Sequence, residues 1–205
     1  MARDHNEQDN DAQQQWEGAI PILRNGGLIV YPTETLYGIG ADALSPSAVK
    51  RVFLAKRRPF NLPIPLAVSD LNMMDQVAYV DPLTRSVYQR FLPGPLMLVL
   101  PKRPAVPDVL TAGSDDVGIR VPDRLGTLEM IGAFGPITAT SANLHGGASP
   151  VTVEDARRQL GSRIAHYIDD GPCRYGRPST VLHVSQRKVL RGKPSNELLD
   201  FLRRK

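Results

Sequence analysis

Short apolar runs alternate with helix start and stop signals along the chain, and this alternation constrains the fold more than any other feature. The turn residues 25–27 end one helical pattern and lead directly into the apolar run 28–31. Ser-Pro at 45–46 and Asp-Pro at 81–82 are typical helix starts, because the first residue caps the helix and proline fits its first turn. No long linker or internal repeat interrupts this order. The sequence therefore predicts one α/β domain with a mixed sheet flanked by helices.

The positions of the predicted elements follow from these signals and from the apolar periodicity. We expect helices near residues 16–24, 46–54, 82–91, 152–160 and 195–203. We expect strands over residues 28–31, 64–68, 96–100, 117–121, 137–140, 165–168, 181–184 and 189–190. The first residues are almost entirely polar, so we expect a frayed leader over 1–12 and a single domain over 13–205.

Composition excludes several classes of protein. Among 205 residues, 41% are hydrophobic and 22% are charged, which is typical of a folded globular protein. No window approaches the roughly 18 consecutive apolar residues of a membrane span, and the N-terminus lacks the apolar run of a signal peptide. We therefore expect no membrane association and a cytoplasmic location. The net charge of +4 favours anionic partners, and phosphate ligands would satisfy it as well as nucleic acid.

The cysteine and histidine content argues against covalent and zinc-dependent hydrolysis. Cys173 is the only cysteine, so it cannot form an internal disulfide, and we interpret it as structural. The four histidines lack the spacing of metal ligands. Neither a GxxxxGK[ST] loop, a GxGxxG loop nor a Gly-x-Ser-x-Gly elbow is present. A nucleotide would therefore have to be bound by some other arrangement.

Polar groups gather at four places where predicted elements end in loops. They are residues 32–38, residues 56–59, Arg120 and residues 140–143. Taken singly, these groups could be turn formers, a helix-end charge pair and loop caps. Taken together, they supply cations, hydroxyls and an amide, which a phosphorylated ligand with a carboxylate requires. The combination predicts a site for a nucleotide and a small acid.

The same stretches resemble the YrdC-like threonylcarbamoyl-AMP synthases over about residues 27–192. The resemblance is carried, in matching order, by residues 31–41 (YPTETLYGIGA), 55–59 (AKRRP), 93–95 (PGP), 117–122 (VGIRVP), 138–143 (TATSAN), 178–181 (PSTV) and 190–191 (LR). The family's signature is a KxR pair and an SxN tripeptide that face each other across a cleft. In this chain the signature residues are Lys56, Arg58, Ser141 and Asn143.

The resemblance implies a fold, a reaction and a set of site residues. The fold would be a YrdC-like single domain with a twisted mixed sheet and a concave, positively charged cleft. The reaction would convert L-threonine, bicarbonate and ATP with Mg²⁺ into threonylcarbamoyl-AMP and pyrophosphate, for threonylcarbamoyladenosine modification of tRNA by a downstream transferase. The four signature residues would be catalytic, with Lys56 neutralising phosphate charge. ATP would contact Arg58, Asn143, Ser149 and Arg191. Threonine would contact Thr35, Arg120, Ser141 and Ser179. No protein side chain would bind a metal.

Two positions depart from the family's pattern, and two alternative functions remain open at this point. Many relatives carry a histidine where Ala67 stands and an Asn or Lys where Leu62 stands, which bears on the amino acid pocket and on one nucleotide contact. The first alternative is a double-stranded RNA-binding or ribosome-associated module that uses the same cleft, and weak RNA binding would be compatible with it. The second is a carbamoyl-transferring relative that acts on carbamoyl-adenylate.

Overall fold

The computed structural model describes residues 5–203, with side chains from residue 14 onward. The helices are α1 (His5–Arg24), α2 (Pro46–Lys56), α3 (Leu71–Val77), α4 (Pro82–Phe91), α5 (Asp108–Thr111), α6 (Leu125–Phe134), α7 (Val153–Leu160) and α8 (Asn196–Arg203). The strands are β1 (Ile29–Tyr31), β2 (Gly38–Gly40), β3 (Leu66–Ala67), β4 (Leu96–Pro101), β5 (Asp116–Arg120), β6 (Ile137–Thr138), β7 (Thr140–Ser141), β8 (His166–Tyr167), β9 (Thr180–His183) and β10 (Lys188–Arg191). Among residues 5–203, no helix combines the length and apolar character that a membrane span needs.

The mixed α/β fold is confirmed, and its strands are divided between two sheets. The six-stranded sheet has the order β10-β9-β4-β5-β3-β6, and the four-stranded sheet has the order β7-β2-β1-β8. Both sheets contain parallel and antiparallel pairs. The predicted strand 137–140 differs, because its first half pairs with β3 and its second half with β2. This crossing from one sheet to the other brings the segment after β7 next to the loop after β1.

The predicted helix starts are confirmed at three places. The Ser45 hydroxyl accepts a hydrogen bond from a backbone N–H of the first turn of α2, and Asp81 does the same for α4. Thr152 and Asp155 form a reciprocal capping box at α7, which satisfies two backbone donors that the helix itself leaves unpaired. Local chemistry alone therefore determines where these helices begin.

The N-terminal helix is longer than the sequence analysis predicts. Because α1 begins at His5, most of the predicted frayed leader over residues 1–12 is helical in the structure, while residues 1–4 lie outside the described residues. The segment over residues 5–12 contains neither glycine nor proline, the two residues that a helix interior tolerates least. It can therefore extend a helix whose later turns are anchored by buried Ala19 and Leu23.

Helix α6 was not predicted, because its sequence has weak local helix signals. Gly126 and Gly132 each lower helix propensity, and Arg124 makes no side-chain capping hydrogen bond. The structure gives the glycine at 126 a packing role, since a Cβ there would lie 2.6 Å from the Trp16 ring. Close contact with α1 therefore stabilises a helix that propensity alone would not favour.

Candidate active site

A cavity of about 590 Å³ lies over one face of the six-stranded sheet. Its floor is formed by strand residues that point to the same side of the sheet, namely Met97 and Val99 from β4, Gly118 from β5 and Val181 from β9. A Cβ at Gly118 would lie 3.1 Å from both the Met97 sulfur and the Pro65 side chain, so glycine keeps this floor open. Seven of the predicted site residues line the cavity, namely Thr35, Arg58, Arg120, Ser141, Ser149, Ser179 and Arg191.

Arg120 forms a buried ion pair at one end of the cavity. Its side chain is paired through Nη2 with Glu34 Oε1 at 2.5 Å, and through Nη1 with Thr35 Oγ1 at 2.8 Å. The second carboxylate oxygen of Glu34 accepts the backbone N–H of Asp123 at 3.1 Å. The Glu34 side chain is 1% exposed and that of Arg120 is 9% exposed, so both charges depend on each other for stabilisation.

The Nε–H of Arg120 has no hydrogen-bond partner in the described part of the chain, although the atom is buried. Arg120 lines the cavity, but this N–H has almost no accessible surface, so a ligand could reach it only after a local rearrangement. A carboxylate is the acceptor that best matches a guanidinium. This end of the cavity is therefore suited to a small acid.

The turn after β1 holds Thr35 in place. The Thr33 hydroxyl accepts the backbone N–H groups of Thr35 and Leu36 at 3.1 and 3.2 Å, and it donates to the Leu36 carbonyl at 2.7 Å. Such local side-chain hydrogen bonds stabilise a turn without help from a sheet. Thr35 consequently reaches Arg120 from a turn that is fixed before any ligand arrives.

The opposite end of the cavity carries Arg58 and Arg191. Arg58 donates to the backbone carbonyls of Leu62 at 3.2 Å and Pro63 at 3.0 Å. Neither arginine forms an ion pair with a carboxylate among residues 14–203. Burial, and then the charge of Arg191, lower the pKa of Arg58 from its ordinary value. Two cations close to each other without a counter-charge are suited to bind a phosphate group.

Lys56 and Asn143 lie behind the cavity wall and do not line it. Lys56 is 2% exposed, so the alternative reading of this residue as one of a helix-end charge pair does not describe it. Its Nζ donates to the Asn143 carbonyl at 2.7 Å and contacts the Ser141 carbonyl. Burial, and then the charge of Arg58, lower the pKa of Lys56 to about 7.

The Ser141 and Asn143 side chains are bonded to each other. The Ser141 hydroxyl donates to Asn143 Oδ1 at 2.6 Å, and Asn143 Nδ2 donates to the Gly147 carbonyl at 2.8 Å. With its hydrogen committed, the Ser141 oxygen that faces the cavity remains available as an acceptor. The two signature motifs therefore meet in space, as the resemblance implies.

The two departures from the family's pattern have different places in the structure. Ala67 is 1% exposed and packs in an apolar cluster with Tyr31, Ile131 and Ile137. Ala67 itself does not line the cavity. Leu62 contributes its backbone carbonyl, which accepts from Arg58 and does not depend on the side chain. Cys173 is buried and outside the lining, and burial raises its pKa to about 11, which fits a structural residue.

Sequence analysis assigned no role to Glu34, Asp116 or His183. Asp116 and His183 line the cavity, and the His183 Nε2 and Asp116 Oδ2 atoms are 3.2 Å apart. The period of two along a strand carries a signal for both. Asp116 and Arg120 are four residues apart on β5 and face the same side, and so do Ser179, directly before β9, and His183 at its end. Glu34 has no such local signal, since its partner is 86 residues away.

Known proteins are similar to this chain over most of its length. The Sua5/YciO/YrdC family model, described as "Telomere recombination", matches residues 21–192. A Methanocaldococcus jannaschii relative, named putative threonylcarbamoyl-AMP synthase, is 39% identical over 168 residues, covering 82% of this chain and 79% of the relative. A Bacillus subtilis relative, named threonylcarbamoyl-AMP synthase, is 40% identical over 167 residues, covering 80% of this chain and 48% of the relative.

A solved structure is also similar over most of the chain. The crystal structure of Pyrococcus abyssi Sua5 complexed with L-threonine has 37% sequence identity and a TM-score of 0.87. The match covers 91% of this chain and 56% of that one. This chain therefore spans about half the length of the Bacillus and Pyrococcus proteins that it matches.

Proposed function

Since the chain belongs to the Sua5/YciO/YrdC family, we propose that it is a threonylcarbamoyl-AMP synthase that converts L-threonine, bicarbonate and ATP into threonylcarbamoyl-AMP and pyrophosphate. One observation carries this proposal. A single cavity has the guanidinium of Arg120 at one end and two cations without carboxylate partners at the Arg58 and Arg191 end. These two ends match the carboxylate of an amino acid and the phosphates of a nucleotide.

Threonine would lie at the Arg120 end. Its carboxylate would contact the Arg120 guanidinium, with Thr35 and Ser179 beside it in the lining. The Ser141 oxygen would accept an N–H from the amino group, because the serine's own hydrogen is already donated to Asn143. This arrangement would keep the amine nitrogen pointing toward the centre of the cavity, where the second reactant must arrive.

ATP would place its phosphates at the Arg58 and Arg191 end, with Ser149 in contact from the opposite wall. Asn143 would support this end from behind the wall. No group of three or more His, Cys, Asp or Glu side chains that could hold a metal occurs in the described part of the chain. Mg²⁺ would therefore enter as the Mg·ATP substrate complex, since this ion binds readily through substrate phosphates.

The proposed reaction needs no protein nucleophile. The amine nitrogen of threonine forms a bond to the bicarbonate carbon, and water leaves to give N-carboxythreonine. A carboxylate oxygen of that product then attacks the α-phosphorus of ATP, and the bond to the β-phosphate breaks, releasing pyrophosphate. All reactants carry negative charge, so the arginines would contribute by holding them together and neutralising repulsion. Well-oriented reactants can reach effective molarities of ~10⁵ M or more.

The product would be passed to a transferase that modifies tRNA, and a cytoplasmic location is part of this proposal. The alternative of an RNA-binding module is not favoured. RNA backbones are bound by exposed cations, whereas Arg120 is buried and already paired with Glu34. The buried Arg120 end therefore favours a small ligand that enters the cavity over an RNA backbone.

The test is an assay of pyrophosphate release with purified protein, Mg·ATP, bicarbonate and a panel of amino acids. We expect release that requires both bicarbonate and threonine, with serine as the most informative competitor. A parallel reaction with carbamoyl phosphate in place of bicarbonate and threonine tests the carbamoyl-transferring alternative. Release only in that second reaction would refute the proposed function.

A further inference from the structure

Lys56 differs from the other cations of the site, because it is almost completely buried and does not line the cavity. It is the last helical residue of α2, and Arg58, two residues later, does line the cavity. The Lys56 side chain turns toward the segment after β7. There its Nζ contacts the carbonyl of Ser141 and lies 2.7 Å from the carbonyl of Asn143 and 3.4 Å from Asn143 Oδ1.

The N–H donors of Lys56 are all used within the protein. A lysine side chain has three N–H donors when it is charged and two when it is neutral. Lys56 has three oxygen partners, all contributed by Ser141 and Asn143. Every donor of Lys56 is therefore directed at the protein, and a phosphate group could bind only by displacing one of these oxygens.

The backbone of Lys56 holds the same segment at a second point. The Lys56 carbonyl accepts the backbone N–H of His145 at 2.8 Å, so the end of α2 contacts the chain on both sides of Asn143. We call residues 141–149 the wall segment. Its two ends, Ser141 and Ser149, line the cavity, whereas its middle is tied to Lys56. A change at Lys56 would therefore be transmitted to the cavity through the wall segment.

We propose that Lys56 is a positioning residue, whose side chain fixes the wall segment and thereby places Ser141 and Ser149, while Arg58 and Arg191 make the contacts with phosphate. This replaces the prediction that Lys56 neutralises phosphate charge directly. The identity of the ligand rests on the proposed function, but the role of Lys56 in ordering the wall segment does not.

The first experiment uses the ligand-free protein and measures backbone hydrogen exchange in Lys56→Met. Methionine keeps an unbranched side chain that is one atom shorter, and it removes the donors. We expect exchange in the wall segment to accelerate by about tenfold or more, while β4 changes less. Met74→Ala, a core substitution in α3, is the control for general destabilisation. Equal acceleration in the wall segment and in β4 would overturn the proposal, because it would show only a loss of global stability.

The second experiment compares the affinities of AMP, ADP and ATP. If Lys56 positions the wall segment, Lys56→Met should weaken all three nucleotides by the same factor, because they share the contacts with that segment. If Lys56 contacts the outer phosphates, the loss should grow from AMP to ATP, and this result would contradict the proposal. Arg58→Ala supplies the reference, since a direct phosphate contact should produce that growing loss.

The third measurement applies to the unmodified protein, in case Lys56→Met does not fold. At about pH 5, where Lys56 is protonated with or without a phosphate on Arg58, the ¹⁵Nζ resonance of Lys56 should be protected from solvent exchange and should not shift when inorganic pyrophosphate or Mg·ATP is added. A shift on addition of pyrophosphate would reveal direct contact and would refute the positioning role. Exchange of the wall segment and the absence of pyrophosphate release are separate results, so failure of the proposed function would be recognised independently.

Discussion

The two ends of the cavity both carry arginine, but their charges are balanced in different ways. At one end, Arg120 is buried and paired with Glu34, and Thr35 accepts a further hydrogen bond. At the other end, Arg58 is oriented only by neutral backbone carbonyls, and Arg191 is exposed. The first end is close to electrically neutral before any ligand binds, whereas the second carries uncompensated positive charge.

This difference suggests what each end can recognise. A guanidinium that Glu34 already neutralises would attract a highly charged anion only weakly, so its choice of ligand depends on geometry. Two cations without carboxylate partners attract an anion strongly and tolerate several orientations. The paired end is therefore suited to one amino acid and the unpaired end to a polyphosphate. Substitutions that break the ion pair at the Arg120 end should therefore lower stability, whereas substitution of Arg58 should lower the use of ATP and leave stability nearly unchanged.

The largest effect on stability is expected for Glu34→Ala. This substitution leaves the buried Arg120 charge without its partner, and such changes typically cost ~3–5 kcal/mol. The free energy of unfolding, measured with urea, should fall by about that amount. Asp75→Ala is the matched control, because it breaks the Asp75–Arg103 ion pair, whose side chains are 51% and 35% exposed. That change should cost no more than ~1 kcal/mol. Equal losses for the two variants would show that the Glu34–Arg120 ion pair contributes no more to stability than an exposed ion pair does.

The largest effect on catalysis is expected for Arg58→Ala. Removing one cation that stabilises developing phosphate charge should lower kcat/KM for ATP by ~10²–10³. The free energy of unfolding should change little, because Arg58 is partly exposed and donates only to loop carbonyls. Lys50→Ala, an exposed change on α2, should have normal turnover. Turnover of Arg58→Ala close to that of the unmodified protein would remove the phosphate site from this end.

A smaller, selective effect is expected for Arg120→Lys. Lysine cannot reproduce the forked guanidinium, so the contact with the threonine carboxylate should be lost, at a typical cost of ~1.5–3 kcal/mol. The KM for threonine should rise by roughly 10–100-fold, while the KM for ATP stays nearly unchanged. Arg124→Lys is the control, because Arg124 pairs with Asp170 and does not line the cavity. An unchanged KM for threonine would exclude Arg120 from the site.

A further expected effect is the pH dependence that Lys56 contributes to stability. Its pKa is lowered from 10.5 to about 7 by burial, and then by Arg58, so between these values the unfolded chain holds a proton that the folded chain has released. Raising the pH through this window therefore increases the free energy of unfolding, and lowering the pH toward 7 removes that gain. The unmodified protein should become more stable relative to Lys56→Met from about pH 7 to about pH 10. A difference that stays flat or decreases would show that Lys56 is not perturbed by burial.

The sequence predicted the parts of this site that depend on local signals. The caps at Ser45 and Asp81 were found because they act within one helical turn. The KxR and SxN motifs were found because a family resemblance identified them. The period of two along β5 and β9 was visible in the sequence. It would have placed Asp116 on the same side as Arg120, and His183 on the same side as Ser179, but it was not used for this purpose.

What the sequence could not provide are contacts between distant positions. Glu34 and Arg120 are 86 residues apart, and Lys56 and Asn143 are 87 residues apart. Nothing near Lys56 in the sequence indicates that its side chain is buried against the wall segment. Helix α6 was missed for the same reason, because its stability depends on packing against α1 and not on its own propensity.

The central claim is that the two ends of the cavity bind different substrates, and a crossed calorimetric titration tests it most directly. L-threonine and Mg·ATP are each titrated into the unmodified protein, Arg120→Lys and Arg58→Ala. The account predicts that Arg120→Lys loses affinity for threonine and keeps it for Mg·ATP, while Arg58→Ala does the reverse. If both variants lost affinity for the same ligand, or if neither lost any, the assignment of the two ends would be contradicted.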